Sequence, residues 1–180
     1  MVKKKILIVE GNTREENSEF TAVGINTHTE SLIESINFYK KDLDISIANP
    51  SSDNNLKNSI DSLDKYDGMI WGGSSLNIYN DTDEIRRQIS FMRECQLKIK
   101  KIFAICWGLQ VAVTVAGGQV KKSDKGAHRG IAHNIKVNNI GSNHKIYLDK
   151  KRQFNSPAFN FDEVVKIPEG ATLLSSNELN

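Results

Sequence analysis

Four short apolar runs, alternating with stretches of helical spacing, constrain this chain more than any other feature. The runs are "KKKILIVEG" (3–11), "DLDISIANP" (42–50), "YDGMIWGGSS" (66–75) and "KKIFAIC" (100–106), each stopped by glycine, proline or a turn. Runs of this length, rich in Ile, Leu and Val, read as strands buried from both sides rather than as alternating surface strands. Between them, "NTHTESLIESINFYKK" carries Leu32, Ile33, Ile36, Phe38 and Tyr39 at helical spacing, with Thr27 or Thr29 as a cap ahead of Glu30. "NNLKNSIDSLDKY" reads as a short helix, and "DTDEIRRQISFMREC" as a longer one that starts near Asp81 or Thr82 and has Ile85, Ile89 and Met92 on one face. "WGLQVAVTVAGG" (107–118) is a further segment of this kind, ended by two glycines.

Strand, helix, strand, helix predicts an α/β three-layer sandwich with a mostly parallel central sheet covered on both faces. Right-handed crossovers then bring the C-terminal end of every strand to one edge, where ligands of such folds collect. The turns "EGN", "GGSS" and "CWG" all fall on that edge. After residue 118 the pattern changes to short strand-like pieces, "GGQVKKSDKG", "IAHNIKVNNIG", "NHKIYLDKK" and "FDEVVKIPEGATLLSS", joined by Gly, Asn, Asp and Pro turns. They predict an antiparallel extension. No linker, repeat or low-complexity tract interrupts the chain, so residues 1–180 are expected to form a single domain.

The formal net charge of +2 gives no reason to expect nucleic acid, and Lys3–Lys5 reads as the solvated start of a strand. No apolar stretch reaches the roughly 18 residues of a membrane span, and the N-terminus has no signal-peptide core, so a cytoplasmic protein is expected. Two cysteines are present. A disulfide between Cys95 and Cys106 is not expected in a reducing compartment, and Cys95, within "SFMRECQLKIKK", reads as a packing residue. The scattered histidines and "GAHRGIAH" show no zinc-type spacing, so no metal and no cofactor is expected.

Cys106 admits two readings. It is either a small buried residue at a strand-to-helix junction or a nucleophile on an elbow. Ala104 and Gly108, two before and two after, are small enough for such a turn. A thiol at a helix N-terminus feels the positive end of the macrodipole, which favours thiolate. The backbone N–H of Trp107 is placed where an oxyanion would develop. The "WGGSS" loop belongs to the same edge, and its glycines would let backbone amides approach a ligand; it reads equally as a plain turn.

These segments resemble the class I glutamine amidotransferases. "AICWGLQVAVTVAGGQV" is similar to that family's G-[IV]-C-x-G-x-Q nucleophile segment, "KILIVEGN" to its first strand and "DKYDGMIWGGSSLNIYND" to its glycine loop. "FNFDEVVKIPEGATLLSSNE" resembles its H-x-D-E-V-x-x-L-P-x-G-A-x-x-L-A-S segment. The resemblance is nearest to GMP-synthase-like glutaminase domains and implies their flavodoxin-like fold. It implies that Cys106 attacks the side-chain amide of L-glutamine, releases ammonia and leaves a thioester for water to hydrolyse. Gly73 and Trp107 would form the oxyanion hole, Gly72 and Ser74 would line the loop, and Gln110 would hold the substrate. The ammonia would pass to a synthetase partner or domain.

Two departures stand out. The family's late F-H-P-E-type segment, source of the base and its carboxylate, is absent, so the resemblance implies a C-terminally truncated domain with no catalytic His or Glu to name. Asn160 stands where "H-x-D-E-V" has histidine and reads as a polar turn residue. His128, His133 and His144 read as strand or loop residues rather than substitutes for the base, Glu10 as a strand-ending carboxylate satisfied by backbone N–H groups, and Trp71 and Trp107 as core. "TREENSEF" reads as a solvated loop, and Asp81 and Asp83 as residues suited to a helix start. Alternatives are a non-catalytic member of the same fold that only binds, and a γ-glutamyl-peptide hydrolase.

Overall fold

The computed structural model describes residues 3–53 and 55–177. Its first compact unit, Met1–Val115, contains the four expected strands, β1 (Lys4–Val9), β2 (Leu43–Ala48), β3 (Gly68–Trp71) and β4 (Ile102–Ala104). They form one sheet in the order β2-β1-β3-β4, and every pairing is parallel. The register puts Ala48, Val9, Trp71 and Ala104 in one row across the sheet. The chain therefore leaves all four strands at one edge. Strand order reverses about β1, so the crevice between the ends of β1 and β3 is the topological switch point at which ligands of open α/β sheets bind.

Among the described residues five α-helices accompany these strands: α1 (Arg14–Ala22), α2 (His28–Tyr39), α3 (Lys57–Asp61), α4 (Asp83–Lys98) and α5 (Trp107–Val115). Thr27 is the cap of α2, in a capping box with Glu30. Thr82 is the N-cap residue of α4. The short helix expected from residue 54 is confined to α3 and a following 3-10 turn at Leu63–Lys65, and Asn54 itself lies outside the described residues. The core of this unit is Leu7, Ile8 and Val9 of β1, Met69 and Trp71 of β3, Ile85, Phe91 and Met92 of α4, and Trp107 and Val111 of α5. Trp71 and Phe91 meet edge to face, with centroids 6.1 Å apart.

Three expectations about this unit need correction. Burial from both sides does not hold for β2 and β4, the outer strands of the sheet, where Ile47 and Phe103 are 57% and 51% exposed. "TREENSEF" is not a solvated loop. Residues 14–22 form α1, whose capping box joins Thr13 and Glu16. The S/T-x-x-E signature was present, but no apolar stripe accompanies it, and α1 has no buried residue. The inward face of α4 is also different: Gln88 is fully buried between Ile85 and Phe91, whereas Ile89 is only half-buried.

The second unit, Ala116–Asn180, is antiparallel throughout. β5 (Gln119–Lys122) pairs with β8 (Asp162–Lys166), and β7 (Gln153–Asn160), β6 (His128–Val137) and β9 (Ser175–Ser176) form a second sheet in the order β7-β6-β9. "NHKIYLDKK" is not strand-like but contributes to 3-10 turns at Gly141–Asn143 and Lys145–Tyr147. β7 had no strand signature because of Pro157. A proline lacks the N–H for a ladder and is tolerated on an edge strand, which β7 is. Asn160 ends β7, and its Nδ2 donates to the Asp162 carbonyl at 3.2 Å, a turn contact. Among the described residues no helix is long and apolar enough to cross a membrane.

Candidate active site

β4 ends at Ala104, and two residues later the backbone turns through Cys106 at φ 51° into α5. That left-handed conformation costs an L-residue about 1–2 kcal/mol and persists only where the surroundings enforce it. They do so through the Trp71–Gly72 segment. Ile105 N–H donates to the Trp71 carbonyl at 2.9 Å, and Gly108 N–H donates to the Gly72 carbonyl at 3.1 Å. A Cβ on Gly108 would stand 2.6 Å from the Trp71 carbonyl oxygen and 2.8 Å from its Cβ, so α5 begins in backbone contact with β3. Cys106 is exposed, at the start of the helix. Cys95 is fully buried on α4, and burial pushes its thiol up to about 12. No disulfide joins the two.

The glycine loop follows β3, and it is held from the β1 side. A Cβ on Gly11 would come within 2.8 Å of the Gly73 carbonyl oxygen and of Trp107 Cδ1, and 3.0 Å from Ser74 Cβ. Only glycine lets these three turns close on one another. Asn12, with no exposed surface, accepts from Ser75 N–H at 3.0 Å, and Ser75 Oγ donates to Glu16 Oε1 at 2.6 Å. The helix that the sequence did not announce, α1, thus tethers the loop. Ser74 Oγ accepts from Leu76 N–H at 3.1 Å, which pins its hydroxyl to the turn. Apart from its own chain neighbours, nothing among the described residues lies within 4 Å of where a Cβ on Gly72 would stand.

Gln110 is one turn into α5, and its N–H donates to the Cys106 carbonyl at 3.1 Å. Its side-chain Oε1 is buried with no hydrogen-bond partner among the described residues. Cys106, Trp107, Gly72, Gly73, Ser74 and Gln110 therefore belong to one contiguous piece of the first unit. Glu10 is 4% exposed and accepts from Asn12 N–H at 2.8 Å, so the backbone satisfies this strand-ending carboxylate. Trp71 and Trp107 are both buried.

One neighbour of the loop was missed in the sequence. His28, exposed at the first position of α2, brings Nδ1 to 3.5 Å from the Cβ position of Gly73 and packs against the ring of Phe20 at 5.4 Å. Only the T-H-T-E capping pattern marked that spot, and it identifies a helix start rather than a neighbour of Gly73. His128 and His133 lie on β6, and His144 Nδ1 accepts from Ile146 N–H at 3.2 Å as a cap of its turn, all in the second unit. Among the described residues no cluster of three or more His, Cys, Asp or Glu could hold a metal ion.

The family model "Glutamine amidotransferase class-I" matches residues 25–179. The γ-glutamyl-L-1-hydroxyisopropylamide hydrolase of a Pseudomonas species is 30% identical, over 98% of this chain and 60% of that protein. A glutamine-hydrolyzing GMP synthase subunit of Sulfolobus acidocaldarius is 27% identical, over 67% of this chain and 60% of that protein. γ-Glutamyl peptidase 3 of Arabidopsis thaliana is 32% identical, over 65% of this chain and 48% of the peptidase. The chain thus spans between about half and three-fifths of the length of these curated relatives. A crystal structure of a glutamine amidotransferase from Thermotoga maritima shares the fold with a TM-score of 0.74 at 16% identity, covering 99% of this chain and 69% of that one. The matched family model covers most of the chain, which therefore belongs to the class-I glutamine amidotransferases.

Proposed function

We propose that this chain cleaves a γ-glutamyl amide bond through a thioester on Cys106. The observation that carries this reading is the left-handed Cys106, exposed at the first turn of α5 beside the glycine loop. In this reading the thiolate attacks the δ-carbonyl of the glutamyl group. Negative charge gathers on the former carbonyl oxygen, facing the N–H groups of Trp107 and Gly73. The C–N bond then breaks as the amine takes a proton from solvent, and water adds to the thioester, which releases glutamate and returns the Cys106 thiolate. In this reading Gln110 holds the substrate, and its Oε1, buried without a partner among the described residues, turns outward to accept an N–H of the substrate's ammonium group. The open space at Gly72 leaves room for the glutamyl chain.

With glutamine the leaving group is ammonia, and a synthetase partner or domain would receive it. The family and the Sulfolobus GMP synthase relative support that reading. With a γ-glutamyl amide the leaving group is a larger amine, and the Pseudomonas hydrolase, aligned over nearly the whole chain, favours this second reading. Both use the same nucleophile. A histidine base and its carboxylate complete such chemistry, and labelling of the thiol is read separately from turnover. The test is to treat the chain with a γ-glutamyl chloromethyl ketone, then to assay glutamine against γ-glutamyl amides. Labelling at Cys106 that disappears in Cys106→Ser supports the nucleophile. Tight glutamine binding with no labelling would instead make the chain a binding protein without catalysis.

A further inference from the structure

Gln88 is the one buried side-chain amide on α4, on a face otherwise made of Ile85, Phe91, Met92 and Cys95. A leucine or methionine would fill that place without desolvating an amide, so its presence asks for a reason. Both ends of the amide are engaged. Nε2–H donates to the Gly11 carbonyl at 3.0 Å, and Oε1 accepts from the indole Nε1–H of Trp107 at 2.7 Å. Gly11 is itself buried at the end of β1, and the edge of the same indole lies against it. The other buried indole, Trp71, has no partner for its Nε1–H among the described residues. A tryptophan N–H in this core is thus not tied down by default. The one that is tied down immediately follows Cys106.

We propose that Gln88 is a positioning residue for the nucleophile turn: its amide locks Trp107 to the β1 loop and so fixes where the Trp107 backbone N–H points. Gln88 reaches two of the three turns that meet at the sheet edge, and Gly11 carries the clamp to the third through its contact with Gly73 and Ser74. Donors for a developing oxyanion work only when held within a few tenths of an ångström, so a clamp on that turn acts on the transition state more than on access to the thiol. The catalytic consequence rests on the function proposed above; the clamp itself does not.

Two electrophiles separate the effects. Iodoacetamide reacts by displacement and reports thiolate and access, whereas a γ-glutamyl chloromethyl ketone passes through a tetrahedral adduct whose oxyanion needs the N–H donors. In Gln88→Met the ketone reaction should slow by about tenfold to a hundredfold, with iodoacetamide changed by less than about threefold. Trp107→Phe should give the same split, and the double variant no further loss. In protein labelled with ¹⁵N-tryptophan, two indole signals are expected, with the Trp107 proton downfield. Gln88→Met should move that signal alone toward the Trp71 position. Equal slowing of both reagents, additive losses in the double variant, or unmoved indole signals would overturn the inference. Should Gln88→Met fail to fold, Trp107→Phe alone decides through the ratio of the two rates. If wild type reacts with iodoacetamide but not the ketone, the proposed function fails, while the indole signals still test the clamp.

Discussion

Adding one methyl group at Gly108 should do more damage than adding one at Gly72, although a hydrogen bond joins the two glycines across adjacent turns. At Gly108 the new Cβ would stand 2.6 Å from the Trp71 carbonyl oxygen, 2.8 Å from Trp71 Cβ and 3.1 Å from Trp71 C. Two of the three are backbone atoms of a central strand, so no rotamer change relieves the overlap. Alanine gains up to about 1 kcal/mol in helix propensity, but overpacking costs about 1–3 kcal/mol and more against backbone. The expected net destabilisation is about 1–2 kcal/mol, a fall in melting temperature of about 2–8 °C for a chain of this size. Gly72→Ala meets no atom within 4 Å apart from its own chain neighbours and should stay within about 0.5 kcal/mol of wild type. Urea titration and thermal melts of both variants give the stabilities, and the rates with iodoacetamide and the γ-glutamyl ketone give the site. Gly108→Ala should slow both reagents because the elbow shifts. Gly72→Ala should slow only the ketone, whose glutamyl chain needs the space. A Gly108→Ala protein as stable as wild type would refute the close-contact argument, and equal reaction profiles would refute the division of labour.

Other outcomes are expected on the same grounds. At neutral pH iodoacetamide should modify Cys106 and leave Cys95 untouched in the folded protein, as peptide mass mapping would show; modification of Cys95 at a similar rate would contradict its burial. Because burial raises the Cys95 thiol from 9.0 to about 12, the folded state holds that proton more tightly. Its contribution to stability is full below pH 9 and is lost as pH rises toward 12, so Cys95→Ala should flatten the alkaline arm of a stability–pH curve. Thr27→Ala removes the capping box of α2 and should cost about 1 kcal/mol in urea titration. His28→Ala, beside Gly73, should slow the γ-glutamyl ketone by about twofold to tenfold if the ring helps shape the glycine loop, while leaving the iodoacetamide rate alone.

The strands, the parallel sheet and the elbow were legible in the sequence because each is a local matter. A run of Ile, Leu and Val marks a strand in any register, although only the inner strands β1 and β3 are well buried, and small residues two before and two after Cys106 are required wherever that turn is made. The second unit was less legible. β7 hides behind Pro157, and the 3-10 turns around His144 share the composition of short strands. α1 escaped because it buries nothing, leaving only its capping box as a signal.

By itself the sequence determined which residues stand at the strand ends: Cys106 and the glycine pair, with Gln110 one helical turn further on, are fixed by the chain order of strand, turn and helix. What those turns touch was decided only by tertiary structure. Gln88 looks like one polar residue in an amphipathic helix, and His28 like a residue beside a cap, until the sheet places Gly11 and Gly73 against them. Hydrogen bonds between residues separated by 77 and 19 positions depend on how the crossover helices pack, and no local pattern encodes that packing.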